Sequence, residues 1–344
     1  MRADAAEIAR TLALDQGFDL VGIARAEAPP TLGHFAEWVA AGYAGEMGYL
    51  EKQVSRRSDL KVAFPWARSV VCVGLQYDTE APYSTESKDG GWISRYAWGE
   101  DYHDVLGSLL TSYEGRLKEA LGPFESRTYV DTGPIVERAY AAEAGLGAWG
   151  KNTCLLHPEH GSWFFLGELV TDLVLAPDGP RADLCGSCRA CLDECPTGAL
   201  PAPFVLDATK CISYLTIELK GAIPEESRAG VSRHVFGCDI CQDVCPWNRR
   251  RRQRGGPAFA PRPGLLSPRL EDLARLDEEG YATLFKRSPL RRAKRRGFLR
   301  NVAVALGNGG GSEARPALEA LARDEDPLVR EHALWALGRI SDRP

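Results

Sequence analysis

The chain has 344 residues, of which 44% are hydrophobic and 26% charged, a composition that supports an ordinary buried core. At this length it should form two or three domains. No run approaches the roughly 20 apolar residues of a membrane span, and the charged N-terminus lacks the apolar segment of a signal peptide. The composition therefore predicts a soluble cytoplasmic protein and disfavours membrane and secreted classes.

Positive charge is concentrated in one stretch of the chain. The net charge is −5, but residues 246–300 carry 16 Lys and Arg against 5 Asp and Glu, a local +11 that leaves −16 elsewhere. Such segregation favours a polyanion such as nucleic acid as partner; a solvated face or an acidic protein partner is the alternative. The residues chosen on charge to hold a nucleic-acid backbone are Arg249, Arg250, Arg295, Arg296 and Arg300.

The first half of the chain alternates between helical and strand patterns. Helices are predicted over residues 4–14, 32–41, 104–121 and 134–143, and strands over residues 18–24, 69–77, 128–131 and 163–175. This alternation predicts an α/β or α+β domain over residues 1–176. A Pro-Asp-Gly-Pro linker follows it at residues 177–180.

Three glycines imitate a nucleotide-binding motif. Gly145-x-Gly147-x2-Gly150 matches the dinucleotide fingerprint, with Glu168 following 18 residues later. A real fingerprint follows a strand and opens a helix, whereas here a helical pattern runs into the glycines. Gly145 is therefore predicted to end a helix, and nicotinamide binding is disfavoured.

Eight of the ten cysteines form two matching runs. They are Cys185-x2-Cys188-x2-Cys191-x3-Cys195-Pro and Cys238-x2-Cys241-x3-Cys245-Pro, with Cys211 upstream of the second. The first run has the spacing of bacterial two-cluster ferredoxins, in which the fourth cysteine ligates the other cluster. Pairing by symmetry predicts a ferredoxin-like domain over residues 177–250 with two [4Fe–4S] clusters. One is expected on Cys185, Cys188, Cys191 and Cys245, and the other on Cys195, Cys211, Cys238 and Cys241.

Zinc is the main alternative for these cysteines, because Cys-x2-Cys pairs are common ligands of tetrahedral zinc. Two such pairs would suffice for zinc, whereas each run here has a further cysteine followed by proline, which favours iron–sulfur. Disulfides are disfavoured in a chain without a secretory signal. Cys72 lies in an apolar run and is interpreted as an inert core thiol, while Cys154 is assigned no role.

The C-terminal part has a different pattern. Residues 251–268 are rich in Pro, Gly and Arg and predict a surface connection within a basic connecting segment, residues 251–285. Residues 298–307 and 328–338 both place Ala and Leu at helical spacing and end in Leu-Gly, 31 residues apart. Residues 286–344 are therefore predicted to form HEAT-like helical repeats, which should pack on the rest of the chain because two helical pairs are few for independent stability.

Asp131 is the candidate acid. It ends an apolar strand, where the binding crevices of α/β sheets lie, and a Thr-Gly-Pro turn and a helix follow. In a partly dry pocket its carboxyl would have a raised pKa and could donate a proton; the alternative is that it caps the next helix. Nearby in the sequence, Asp101-x-His103-x3-Gly107 is one residue off a cobalt-ligating motif, and His103 is interpreted as a polar loop residue near a pocket.

Several segments together resemble the epoxyqueuosine reductase family. They are residues 131–138 (Asp-Thr-Gly-Pro-Ile-Val-Glu-Arg), residues 145–152 (Gly-Leu-Gly-Ala-Trp-Gly-Lys-Asn) and residues 161–168 (Gly-Ser-Trp-Phe-Phe-Leu-Gly-Glu). The cysteine runs follow in the expected order with residues 207–216 between them, and Arg95-Tyr-Ala-x3-Asp-Tyr-His103 also fits. The resemblance spans most of the chain, including its HEAT-like end.

The resemblance implies an enzyme that uses cobalamin and two [4Fe–4S] clusters to remove the epoxide oxygen from epoxyqueuosine in the tRNA anticodon loop. Electrons would pass from an external low-potential reductant through the clusters to cobalamin in the first domain, and Asp131 matches the family's proton donor. The residues implied to surround cobalamin are Arg57, Tyr96, Asp131, Arg138, Asn152, Ser162 and Ser213. A cytoplasmic monomer is expected.

Three other readings remain open. A corrinoid reductive dehalogenase-like enzyme acting on a small molecule combines the same cofactors. Such enzymes usually carry an export signal, which is not expected here, whereas this chain has a basic C-terminal end. A non-catalytic ferredoxin-like electron carrier would not need a long first domain with its own acid. A tRNA-binding scaffold with structural clusters is the third.

Overall fold

The computed structural model describes residues 4–250 and 255–341. Within them the strands are β1 Leu20–Arg25, β2 Ser69–Gln76, β3 Trp92–Ile93, β4 Ser126–Tyr129, β5 Ala148–Trp149, β6 Leu155–Leu156, β7 Phe164–Thr171 and β8 His234–Phe236. The helices of the first half are α1 Ala5–Gln16, α2 Gly33–Ala40, α3 Gly48–Glu51, α4 Val54–Ser58, α5 Leu60–Ala63, α6 Tyr102–Leu121 and α7 Glu137–Glu143. Those of the second half are α8 Ala190–Asp193, α9 Glu225–Val231, α10 Ile240–Asp243, α11 Pro246–Arg249, α12 Leu270–Leu273, α13 Glu278–Leu284, α14 Lys294–Gly309, α15 Arg315–Leu321 and α16 Pro327–Ser341.

The central sheet has the strand order β1-β2-β7-β4, and each neighbouring pair is antiparallel. The predicted mixture of helices and strands is confirmed. Because the strands are antiparallel, however, the rule that places crevices at the carboxyl ends of parallel strands does not explain the position of Asp131. That position comes instead from the short turn between β4 and α7.

Helices cover both faces of this sheet. Side chains alternate across a strand, so Val71 and Val73 of β2 join the core under α1 and α6, while Val70 and Cys72 join the core under α7. Burial on both faces explains why the sequences of β2 and β7 are nearly continuous apolar runs. Cys72 is fully buried, as expected of a core thiol.

Helix α6 begins earlier than the sequence predicted. The carboxylate of Asp101 caps it by accepting the backbone N–H of His103 at 3.1 Å, which satisfies one of the free donors of the first turn. His103 therefore lies in the first helical turn and not in a loop. The prediction of a loop position for His103 is wrong.

Helix α7 ends where the sequence predicted. Gly145 has a φ of 75° just beyond it, and its N–H donates to the carbonyl of Ala142 at 3.0 Å. This left-handed position favours glycine. The Gly145–Gly150 segment therefore closes a helix and does not open one around a dinucleotide.

The cysteine-rich segment consists mostly of short helices and loops and is tied to the first domain by a parallel pairing of β3 with β8. The C-terminal helices continue from it. One core contains Phe236 of β8, Phe285, which directly follows α13, and Phe298 of α14. At Gly307 of α14 an added Cβ would come within 2.7 Å of the Cβ of Ala336 in α16, so this crossing requires a glycine. The predicted packing of the repeats on the rest of the chain is present.

The segment before these helices is more than a surface connection. Phe259 is buried among the side chains of the first domain, and Leu265, Leu270 and Leu273 are buried in the core shared with α14. The expectation of a surface connection is wrong at Phe259, Leu265 and Pro268, which are buried, whereas the other residues of 255–268 are partly or fully exposed. Residues 251–254 lie outside the described part. Among the described helices, none is both long and apolar enough to cross a bilayer.

Candidate functional site

One group of thiols surrounds a surface cavity of about 220 Å³. The cavity is lined by Cys185, Cys188, Cys191 and Cys245, and also by Cys241. Burial and the neighbouring thiols of Cys185 and Cys245 together raise the pKa of Cys191 to about 11. The structure thus brings three cysteines of the first run together with the last cysteine of the second.

The remaining cysteines of the two runs form a deeper group. Burial raises the pKa of Cys238 well above its ordinary value, and the nearby thiols of Cys211 and Cys195 add to the shift. Contact with Cys154, burial, and the thiols of Cys238 and Cys211 raise the pKa of Cys241. Apart from Cys154, to which the sequence assigned no role, these neighbours are residues that the crossed assignment expects on the second cluster.

Two sets of four thiols are the donor set of two [4Fe–4S] clusters. In the described part of the chain, no three His, Cys, Asp or Glu side chains converge closely enough to hold a single metal ion.

Residues 151 and 152 join both thiol groups to the first domain. The backbone N–H of Lys151 donates to Sγ of Cys185 at 3.4 Å, and its Nζ donates to the carbonyls of Gly186 and Cys188 at 2.6 and 2.8 Å. Nδ2 of Asn152 donates to the carbonyl of Cys241 at 3.2 Å. Cys188 is exposed, so the first group faces solvent, whereas Cys211 and Cys238 of the second group pack against the buried cluster that includes Ile212 and Leu215.

Asp131 lies where two further cavities meet. A cavity of about 410 Å³ has walls that include Phe35, Trp38 and Leu206, and a smaller one of about 220 Å³ lies on the other side. Asp131, Glu137 and Arg138 border both. Apolar walls with a few polar groups are typical of cofactor and ligand sites.

The Asp131 loop is held in an unusual backbone conformation. Asp131 has a φ of 61°, which is uncommon for a residue other than glycine. Its N–H donates to the carboxylate of Glu137, and Arg57 Nη1 donates to the carbonyl of Ile135 at 3.0 Å in the same loop. Two side chains outside the turn therefore fix where the Asp131 carboxyl points.

Two donors meet the Asp131 carboxyl. Tyr102 donates its hydroxyl to Oδ2 at 3.0 Å, and His103 Nε2 lies 3.5 Å from the same oxygen. Burial raises the pKa of Asp131, but the hydrogen bonds from His103 and Tyr102 outweigh it and bring this pKa below its ordinary value. The expectation of a raised pKa is wrong, because the sequence did not reveal these donors.

The raised carboxyl pKa values belong to two neighbours instead. Burial and the charge of Asp131 raise the pKa of Glu137 to about 7. Glu168, in the middle of β7, is fully buried, and burial together with the Glu137 charge raises its pKa well above the ordinary value. Both were missed as site residues, although an acid inside an apolar strand was a readable signal.

The residues implied to surround cobalamin are divided among the cavities. Arg57, Asp131 and Arg138 border the larger cavity, Tyr96 and Ser162 border the smaller one, and Asn152 borders the thiol cavity. Arg138 Nη1 donates to the carbonyl of Thr153 at 2.6 Å, which fixes its guanidinium at the rim. Ser213 lines none of these three cavities.

Arg300 was wrongly chosen as a nucleic-acid contact. Only 1% of it is exposed. Its guanidinium donates to the carbonyls of Leu215, Leu219 and Gly221 at 2.6 to 2.9 Å. Because those donors are already used inside the protein, Arg300 ties α14 to the cysteine-rich segment and has no donor free for a phosphate.

The other chosen arginines differ in how free their charges are. Arg249 and Arg250 are exposed. Arg295 pairs with Asp324 at 2.7 Å and Arg296 with Asp326 at 2.9 Å, so their charges are partly balanced. Arg292 was not among the arginines chosen from the sequence. Its charge helps to lower the pKa of Asp131, and its guanidinium pairs with Glu218 at 2.5 Å. The basic stretch therefore reaches the Asp131 site through Arg292.

Three families of known proteins match successive parts of this chain. Residues 57–132 match the family described as Epoxyqueuosine reductase QueG, DUF1730, residues 184–248 match a 4Fe-4S double cluster binding domain, and residues 290–344 match HEAT repeats. An epoxyqueuosine reductase of Xanthomonas campestris pv. campestris is 42% identical over 341 residues, which cover 98% of this chain and 96% of that protein.

Two solved structures are also similar over nearly the whole length. A crystal structure of an epoxyqueuosine reductase with an epoxyqueuosine-modified tRNA-Tyr stem loop has a TM-score of 0.89 at 33% identity, covering 98% of this chain and 92% of that one. A Bacillus subtilis epoxyqueuosine reductase with its catalytic aspartate loop swung out of the active site has a TM-score of 0.89 at 33% identity, covering 98% and 91%. Likeness in sequence and fold along the whole length establishes that the chain belongs to the epoxyqueuosine reductase family.

Proposed function

We propose that this chain reduces epoxyqueuosine to queuosine in the anticodon loop of tRNA, using two [4Fe–4S] clusters and cobalamin. The observation that carries the proposal is the position of Asp131, a carboxyl between two ligand-sized cavities in the same chain as eight clustered thiols. An electron carrier would need the thiols alone. The relative solved with a modified tRNA stem loop supports the RNA substrate.

Electrons would enter at the exposed thiol group. Cys188 faces solvent, so a cluster on Cys185, Cys188, Cys191 and Cys245 can meet an external low-potential reductant. A cluster on Cys195, Cys211, Cys238 and Cys241 would lie deeper. The carbonyl of Cys241 is bonded to Asn152, and Cys154 beside it borders the smaller cavity, so electrons would leave the deeper cluster toward the Asp131 site.

The two cavities beside Asp131 fit a large, mostly apolar cofactor with polar edges. Arg57 and Arg138 would hold polar edge groups, and Trp38 would pack on the apolar face. Tyr96, Asn152 and Ser162 are proposed to hold the side nearer the clusters. When bound, cobalamin supplies the reduced metal centre that this chemistry needs, while the protein orients the substrate and provides protons.

Asp131 is proposed to protonate the departing epoxide oxygen. Its carboxyl is half exposed in the open site, where its pKa is low. A substrate seated over it would remove water, and burial favours the neutral, proton-carrying form of a carboxyl. The acid would thus become competent when the RNA loop closes the site.

The RNA loop would be held by the basic side chains at the rim. Bases of single-stranded loops can be splayed out into protein pockets, and Arg249 and Arg250 are exposed to meet backbone phosphates. Arg295 and Arg296 remain proposed contacts, weakened by their acidic partners. Phosphate contacts make binding salt-dependent. We also propose a cytoplasmic monomer, since one chain supplies both thiol sets.

The test is reconstitution with one component omitted at a time. Anaerobic protein with iron, sulfide, cobalamin and a chemical reductant should convert epoxyqueuosine in a tRNA stem loop to queuosine, measured by nucleoside mass spectrometry. Omitting cobalamin or iron should abolish the product. Unchanged epoxide in protein that carries both cofactors would reject the proposal, and conversion of a halogenated arene instead would favour the dehalogenase reading.

A further inference from the structure

The proposed reaction consumes more protons than Asp131 can hold. Turning an epoxide into an alkene breaks both C–O bonds and releases the oxygen as water. This takes two electrons, supplied by the external reductant through the clusters, and two protons. One carboxyl delivers one proton, and a bound RNA loop would limit the access of water to refill it. The inference below therefore rests on the proposed function and concerns the second proton.

His103 is placed to refill Asp131. Its Nε2 lies 3.5 Å from Oδ2 of Asp131, and its Nδ1 lies 2.8 Å from Oδ1 of Asp101. The imidazole stacks on the ring of Tyr102 with 4.1 Å between centroids, and that ring stacks on Phe165 at 4.4 Å. The plane of the imidazole is thereby fixed, and one nitrogen faces each carboxylate.

Asp101 is itself held in place. The same Oδ1 that meets the imidazole also accepts the backbone N–H of His103 at the start of α6. An imidazole with a carboxylate on each nitrogen is an arrangement that stabilises its doubly protonated form. About a third of the His103 side chain is exposed, which leaves it a route to protons from solvent.

We propose that His103 supplies the second proton through Asp131, and that Asp101 is the residue that positions it. After Asp131 has given its proton to the epoxide oxygen, the N–H bond at Nε2 breaks and an O–H bond forms on Asp131. Asp131 then gives this proton to the leaving hydroxide, which departs as water. His103 regains its proton from solvent, so no co-reactant beyond the reductant is needed.

The charges around His103 agree with this role. Burial lowers the pKa of His103, but the carboxylates of Asp101 and Asp131 outweigh it and raise the pKa to about 9. Other charges lie close to the two carboxylates. Arg262 lowers the pKa of Asp101 and Arg292 lowers that of Asp131, while the carboxyl of Glu137 interacts electrostatically with Asp131. His103 therefore carries a transferable proton at neutral pH and loses it as the pH rises through about 9.

The first test uses the apoprotein, so it does not depend on activity. Labelled histidine side chains are followed by NMR titration, with the His103 signal identified by its absence in His103→Gln. We expect a midpoint near pH 9 that falls by about one pH unit in Asp101→Asn, which keeps the helix cap because Asn caps as well as Asp. Asp104→Asn is the control, since it removes the same charge from the same turn and leaves the imidazole contacts intact.

The second test measures queuosine formation against pH in loaded protein. His103→Gln should lower turnover at pH 7 by about 10²-fold and abolish the alkaline decline that we expect of the wild type near pH 9. Asp101→Asn should move that decline to lower pH. Full turnover in His103→Gln with an unchanged pH profile would overturn the proton role of His103 while leaving the proposed function intact, since the wild type still makes queuosine. A midpoint below pH 7 in the apoprotein would overturn it as well.

Discussion

The carboxyl of Glu168 meets the carboxyl of Glu137 in the interior, directly behind the loop that carries Asp131. Within the described residues no hydrogen-bond donor reaches either oxygen of Glu168. Two carboxyl groups can hydrogen-bond only if one of them carries a proton. Glu168 therefore holds that proton, and the ionised Glu137 accepts the N–H of Asp131.

This pair makes stability depend on pH. The pKa of Glu137 rises from 4.5 to about 7 in the folded protein, so between those values the folded state binds more protons than the unfolded state. The free energy of unfolding must then fall as pH rises through this window, by on the order of 2 kcal/mol. Glu168→Gln, whose amide can donate to Glu137, should flatten the fall.

Urea unfolding between pH 4.5 and 8 measures this effect. Glu143→Gln, at the other end of α7, is the matched control and should keep the wild-type slope. If Glu168→Gln kept the wild-type slope as well, the shared proton would be rejected.

The crossed assignment of the cysteines can be tested by counting iron. Cys188 and Cys245 are assigned to the same cluster although they lie in different runs. The double variant Cys188→Ser/Cys245→Ser should therefore keep one cluster, about four irons per chain, against about eight in the wild type. Sequential pairing would place the two cysteines on different clusters and predicts the loss of both.

Exposed arginines should control the salt dependence of RNA binding. Arg250→Gln removes an exposed surface charge and should weaken binding of a tRNA stem loop and reduce the slope of log affinity against log salt by about 1. Arg296→Gln should do less, because Asp326 already balances that charge. Fluorescence anisotropy across a salt series measures both; equal effects of the two variants would contradict this ranking.

Arg300 should matter for stability and not for RNA contact. Arg300→Met keeps much of its volume but leaves three buried carbonyl oxygens without their donor. We expect a loss of about 3 kcal/mol in the free energy of unfolding. The affinity for RNA, measured where the variant remains folded, should keep the wild-type salt slope. A reduced slope would show that Arg300 does meet a phosphate.

Features that depend only on neighbouring residues could be predicted from the sequence. The cysteine spacing, the apolar strands and the glycine that ends α7 each depend on neighbours within a few residues. The surroundings of Asp131 could not, because its donors, Tyr102 and His103, lie almost thirty residues away along the chain. Without these donors, burial alone predicted a shift of the Asp131 pKa in the wrong direction.

The buried position of Arg300 could not be predicted from the sequence either. Counting charges treats every arginine in a basic stretch alike, but Arg300 lies on the inner side of α14 between Leu299 and Asn301, all of them buried. Its partners are backbone carbonyls about 80 residues earlier in the chain. No local pattern in the sequence reports such partners.

Asp131 is proposed as the acid of a deoxygenation carried out by this chain. The most direct test of this role is a single-turnover reaction of Asp131→Asn with epoxyqueuosine-modified stem loop, followed by nucleoside mass spectrometry, in protein whose spectrum shows cobalamin bound and both clusters reduced. We expect queuosine formation slowed by about 10² to 10⁴-fold relative to wild type, with cobalamin binding unchanged. Queuosine formed at the wild-type rate by this variant would contradict it.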